Sequence, residues 1–128
     1  MSAAQRAPDR SKARRRALEI LHAAEVGGEP ADAAPSDTEA YAVMLVSGVS
    51  DHRPQIDALI TEAAENWALD RMPFVDRNVL RIATFELLHT GVPTGVVVDE
   101  AVKLAKMLST EGSGRFINGV LGRIARSR

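Results

Sequence analysis

Cysteine is absent from this 128-residue chain, and with it go disulfides, thiolate nucleophiles and cysteine-bound metals. Aromatic residues are scarce, with one tryptophan, one tyrosine and three phenylalanines, so stacking surface for a flat ligand must come from few positions. No apolar run approaches the roughly 18 residues that a membrane helix needs. No apolar segment follows the basic N-terminus as it would in a signal peptide, which places the protein in the cytoplasm, away from membranes. There is no P-loop and no glycine-rich dinucleotide turn. His22, His52 and His89 fall on three separate segments without ligand spacing, which argues against a metal site. Nothing points to a serine nucleophile with its base and oxyanion pocket. A binding protein with no metal or cofactor is expected, not an enzyme.

Charge is present but unevenly placed. The formal net charge is only -1, yet residues 1–16 hold six basic residues against one acid, and residues 113–128 hold four basic residues and no acid. The acids are concentrated in the body between, so a near-neutral total does not exclude nucleic acid as a ligand. Hydrophobic residues make up 45% of the chain, enough for one domain that buries roughly two-thirds of its unfolded surface.

Helical periodicity dominates, and neither an internal repeat nor a β-alternating run occurs, so the fold class is all-α. Val75 to His89 is the most apolar stretch. Val75, Val79, Leu80, Ile82, Ala83 and Leu87 share one broad face, with Arg77, Arg81 and Thr84 opposite. Asp76 suits the first turn, where the helix dipole favours an anion. Glu86 is an anomaly on the apolar face: either an arginine or backbone donors hold it at the edge of the core, or it contacts a partner protein.

A first helix is predicted from a cap at Asp9 or Ser11 to about Val26, burying Ala13, Ala17, Ile20, Leu21 and Ala24. Arg14, Arg15 and Arg16 lie in its first turns, where cations oppose the dipole. They form either a solvated face or, with Arg6 and Arg10, a phosphate-binding arm. Residues 1–8 are expected to form a flexible basic arm ahead of a single domain over 9–128. An acidic turn-rich loop follows at 27–35, and Ser36 to Glu39 reads as a capping box opening a second helix. There Gly48 allows another backbone close. Pro54 suits the start of a third helix, whose apolar repeat runs from Ile56 to Trp67. A helix from Val97 to Leu108 carries Asp99 and Glu100 in its first turn, explained by the dipole. The last helix begins near Ser113 and buries Ile117, Val120, Leu121 and Ile124. Its other side presents Arg115, Asn118, Gly119, Gly122 and Arg126, with Phe116 and Arg123 on the border. Two interior glycines cost a helix about 1 kcal/mol each, so something is expected to approach that face, either another helix or an external ligand.

The order of these features resembles a known family. The arginine-rich start, L-D-R-M-P-F-V-D-R-N-V-L-R-I-A-T-F-E-L-L at 69–88, V-V-V-D-E-A-V-K-L-A-K at 96–106 and S-G-R-F-I-N-G-V-L at 113–121 resemble the NusB family of bacterial transcription antitermination factors over nearly the whole chain. The resemblance implies an all-helical fold of two small bundles with about six or seven helices. It implies binding of single-stranded boxA RNA together with the small-subunit ribosomal protein that doubles as NusE, in an RNA polymerase elongation complex with other Nus factors. Carried over by position, it matches the basic arm to Arg10, Lys12, Arg14 and Arg15, the partner-facing acid to Glu86, and the signature pair to Phe116 and Asn118. His22 stands where an aromatic residue is usual, and Gly122 where an aspartate is frequent. The candidate RNA contacts are thus Arg10, Lys12, Arg14, Arg15, His22, Arg115 and Asn118; the candidate partner contacts are Glu86, Phe116, Gly119 and Gly122. An alternative is a detached NusB-like domain of a ribosomal RNA cytosine methyltransferase.

Overall fold

The computed structural model describes residues 10–27, 39–65 and 67–128. The arm at 1–8, Asp9, Ser36 and most of the acidic loop lie outside them. Among the described residues there are six α-helices, one 3-10 turn and no strand: α1 (Ser11–Gly27), α2 (Ala40–Asp51), α3 (Arg53–Ala63), the turn Leu69–Arg71, α4 (Phe74–His89), α5 (Thr94–Leu108) and α6 (Glu111–Ser127). None of these helices is long and apolar enough to cross a membrane.

Helix α4 is the hub. It packs against all five other helices, with α1 and α2 forming one small bundle around it and α5 and α6 the other, while α3 also touches α6. Twelve of its sixteen residues are buried, including the polar Asp76, Asn78, Arg81, Thr84 and Glu86. The expected polar side of this helix is therefore covered. For its arginines the reason is electrostatic satisfaction: the Arg81 fork meets both carboxylate oxygens of Asp57 on α3, at 2.9 and 3.1 Å, and a third contact reaches Glu25 on α1 at 3.1 Å. Glu25 also accepts from Arg77 at 2.6 Å and from Asn78 at 3.0 Å. Burial opposes ionisation of Glu25, but these donors and the charges of Arg77 and Arg81 outweigh it and hold the carboxyl below the usual glutamate range.

Helix ends depart from expectation in instructive ways. Helix α3 stops at Ala63, and Glu65 takes a left-handed φ of 58°, so Trp67 is not part of the helical repeat but stands on the following loop. Helix α5 starts at Thr94, immediately after Pro93, which moves Asp99 and Glu100 into the second turn. Each then has a side-chain partner instead of a dipole role, Asp99 with Lys103 at 3.0 Å and Glu100 with Arg14 at 3.3 Å. Helix α6 starts two residues early because Thr110 caps it, its hydroxyl accepting from the Ser113 amide at 3.0 Å. The Ser113 hydroxyl donates to buried Asp76 at 3.0 Å, which fastens the start of α6 to the start of α4.

Close packing also falls elsewhere than expected. A Cβ on Gly48 would sit 2.2 Å from the Phe85 ring, so that glycine admits an aromatic side chain, not a backbone. In α6 the crowded glycine is Gly114, beneath the Lys106 stem, whereas a Cβ on Gly119 would meet nothing within 4 Å and one on Gly122 would meet only the Arg126 guanidinium, at 3.2 Å. Among the described residues, no helix lies against that face.

Candidate nucleic-acid and partner interface

The basic start of α1 divides into an inner and an outer set. Helical spacing turns Arg14 inward with Ala13, Ala17 and Leu18. Its guanidinium forks onto the Glu86 carboxylate, Nε to Oε1 at 2.8 Å and Nη2 to Oε2 at 2.9 Å. Tyr41 on α2 donates its hydroxyl to the same carboxylate at 2.6 Å. Glu100 on α5 accepts both from Arg14 and from the Ser11 hydroxyl. One cluster thus joins α1, α2, α4 and α5. Burial works against the Arg14 charge, but the Glu86 hydrogen bonds and charge, with Tyr41 and Glu100 behind them, raise its pKa further. Burial and Glu86 together push the Tyr41 hydroxyl up. Arg10 caps the cluster from outside, its guanidinium 3.9 Å over the Tyr41 ring.

Two sequence expectations change here. Glu86 is only 1% exposed and Arg14 only 5%, so neither presents its charge to an external ligand in this conformation. The anomaly on the apolar face is answered by an internal arginine, because removing either charge from water requires the other as partner. Tyr41 and Glu100 are the cluster members that sequence reasoning missed. Position on a helix could flag Glu86 as needing a donor, but no local pattern names a tyrosine on another helix.

Lys12 and Arg15 stay exposed on the outer side of α1. Together with Lys103, Leu104 and Met107 of α5 they border a groove of about 210 Å³, and Arg15 reaches the Met107 sulfur at 3.5 Å. Arg16 is occupied by Glu19 at 3.3 Å. His22, expected at the surface as an RNA contact, is partly buried and stacks on Phe74, ring centroids 3.6 Å apart and planes 18° from parallel. One face of the imidazole is thereby covered by this chain's own phenylalanine.

Across α5 from that groove, Arg115 and Asn118 are exposed and line a groove of about 450 Å³ between α5 and α6 with Lys106, Asp99 and Glu111. Phe116 is partly buried against the core and meets Trp67 edge-on at 4.9 Å, so it is not a free apolar anchor. Gly119 and Gly122 lie on the outward side of α6, Gly119 with open space above it and Gly122 beneath the Arg126 guanidinium.

Known proteins resemble this chain in sequence and fold. A model of the NusB family matches residues 11–126. The transcription antitermination protein NusB of Nocardioides sp. is 48% identical, over 93% of this chain and 95% of its own. That of Saccharopolyspora erythraea is 49% identical, over 91% of this chain and 86% of its own. Among solved structures, T. maritima NusB superposes with a TM-score of 0.84 at 34% identity, over 96% of this chain and 94% of that one. A structure of antitermination factors NusB and NusE in complex with double-stranded RNA gives a TM-score of 0.79 at 30% identity, over 93% and 97%.

Proposed function

This chain belongs to the NusB family, and on that footing we propose that it is a transcription antitermination factor. It binds the boxA element of nascent ribosomal RNA together with the ribosomal protein NusE and helps RNA polymerase read through terminators. The observation that carries this reading is the near-complete overlap with antitermination proteins of that name, on the fold of a protein solved with both NusE and RNA. Its work is binding, not catalysis, and is done in the cytoplasm where the transcript emerges.

Lys12 and Arg15 meet RNA phosphates directly, because among the described residues they are the exposed cations at the start of α1. Arg14 and Glu86 act from within: their ion pair sets the position of α1 against α4, and with it where the arm points. Arg10 is tied to Tyr41 and bridges the two roles. The alternative of a methyltransferase domain has no observation in its favour. Electrophoretic mobility shift with boxA RNA, with and without NusE, tests the proposal. A shift strengthened by NusE and lost with scrambled RNA is expected; no shift under either condition refutes it.

A further inference from the structure

The outward side of α6 carries exposed groups that the arm does not use. At 100° per residue Phe116, Arg123, Gly119, Arg126 and Arg115 fall in succession across that side, away from buried Ile117, Val120, Leu121 and Ile124. Trp67 stands beside it at 43% exposure, its ring edge-on to Phe116 at 4.9 Å and 62° between planes. Folding gives little reason to leave an indole half in water. Arg123 is fixed next to it by donating to the carbonyl of Ala63, the last residue of α3, at 2.7 Å. Arg115 and Arg126 are exposed. From Ser113 to Arg128 helix α6 carries no acid, and although Glu65 lies 4.0 Å from Arg123, the three arginines leave the face with a positive balance. Gly119 leaves space into which a bulky planar group can settle.

We propose that Trp67 and Phe116, flanked by Arg115, Arg123 and Arg126, form a base-stacking platform for single-stranded RNA, separate from the cations of α1. Aromatic rings beside arginines are how single strands are held without base reading: the base stacks on the ring and the arginines take the flanking phosphates. The excess of arginines over carboxylates on the face selects a polyanion over an apolar peptide. Trp67 supplies the stacking surface that the sparse aromatic content of this chain otherwise lacks. The inference deepens the reading of the protein as an RNA-binding antitermination factor and rests on it.

Trp67 is the only tryptophan, so the full-length protein reports on the platform by itself. Titration with a single-stranded boxA oligoribonucleotide should quench indole emission, with the same midpoint as the mobility shift. Trp67→Ala should weaken binding about tenfold and Trp67→Phe should retain most of it. The double variant Arg115→Ala, Arg126→Ala should lower the magnitude of the log-log salt slope by about 1.4. A mobility shift without any change in emission, together with normal binding by Trp67→Ala, overturns the platform and leaves the family function standing. Emission that responds to NusE alone and not to RNA assigns the face to a protein partner and equally overturns it. Absence of RNA binding even with NusE present refutes both readings together.

Discussion

Replacing Glu86 by glutamine should be among the most damaging single changes in this protein, although it alters one atom. The carboxylate is 1% exposed and holds the Arg14 guanidinium through two hydrogen bonds of 2.8 and 2.9 Å, with the Tyr41 hydroxyl at 2.6 Å. Glutamine keeps the size but offers one acceptor and no charge, so Arg14 is left inside with its cation largely uncompensated. Breaking a buried pair in this way costs about 3–5 kcal/mol. In a chain of this length each kcal/mol shifts Tm by roughly 3–4 °C, so the melt should fall by roughly 10–20 °C. Circular dichroism melts of the wild type, Glu86→Gln, Arg14→Met and the double variant Arg14→Met, Glu86→Leu form the assay. The double variant should regain much of the loss, because two apolar groups leave no stranded charge. A loss under about 3 °C for Glu86→Gln would refute the reasoning. Normal melting with weakened NusE binding would show that the carboxylate turns outward to its partner in solution.

The outer arm behaves oppositely. Lys12→Ala with Arg15→Ala should leave Tm unchanged, while lowering the magnitude of the RNA salt slope by about 1.4 in titrations at several salt concentrations; an unchanged slope would remove both residues from the interface. Gly48→Ala must displace the buried Phe85 ring and should cost about 1–3 kcal/mol in urea unfolding, with neutrality as the contrary result. Glu25 is held below its ordinary pKa despite burial, by Arg77, Asn78 and Arg81. The sign follows: the folded state binds fewer protons than the unfolded one in mildly acid solution, so this stability is present above the ordinary glutamate range and is lost as pH falls through the depressed value. Glu25→Gln should therefore flatten the acid limb of a stability-against-pH curve, and an identical limb would contradict the assignment.

Local periodicity by itself determined the all-helical class, the burial of Ile117, Val120, Leu121 and Ile124, and the central place of α4, because an apolar face at 3.6-residue spacing must find cover wherever the chain goes. Motif order at 69–88, 96–106 and 113–121 determined the family. The sequence also exposed Glu86 as a carboxylate in need of a donor. It could not name the donor, since Arg14 lies 72 positions away on another helix and no spacing rule spans that gap. Only the tertiary structure decided which cations are inside. Arg14 and Arg81 are buried where carboxylates from other helices meet them, while Lys12 and Arg15, with the same local credentials, face water. Trp67 shows the same limit from the other side: it continues an apolar repeat in sequence, yet the left-handed turn at Glu65 takes it out of the helix and sets it against Phe116. Burial of an ion and the direction of a chain after a helix end both depend on what arrives from distant segments, and their free energies are settled only when those segments meet.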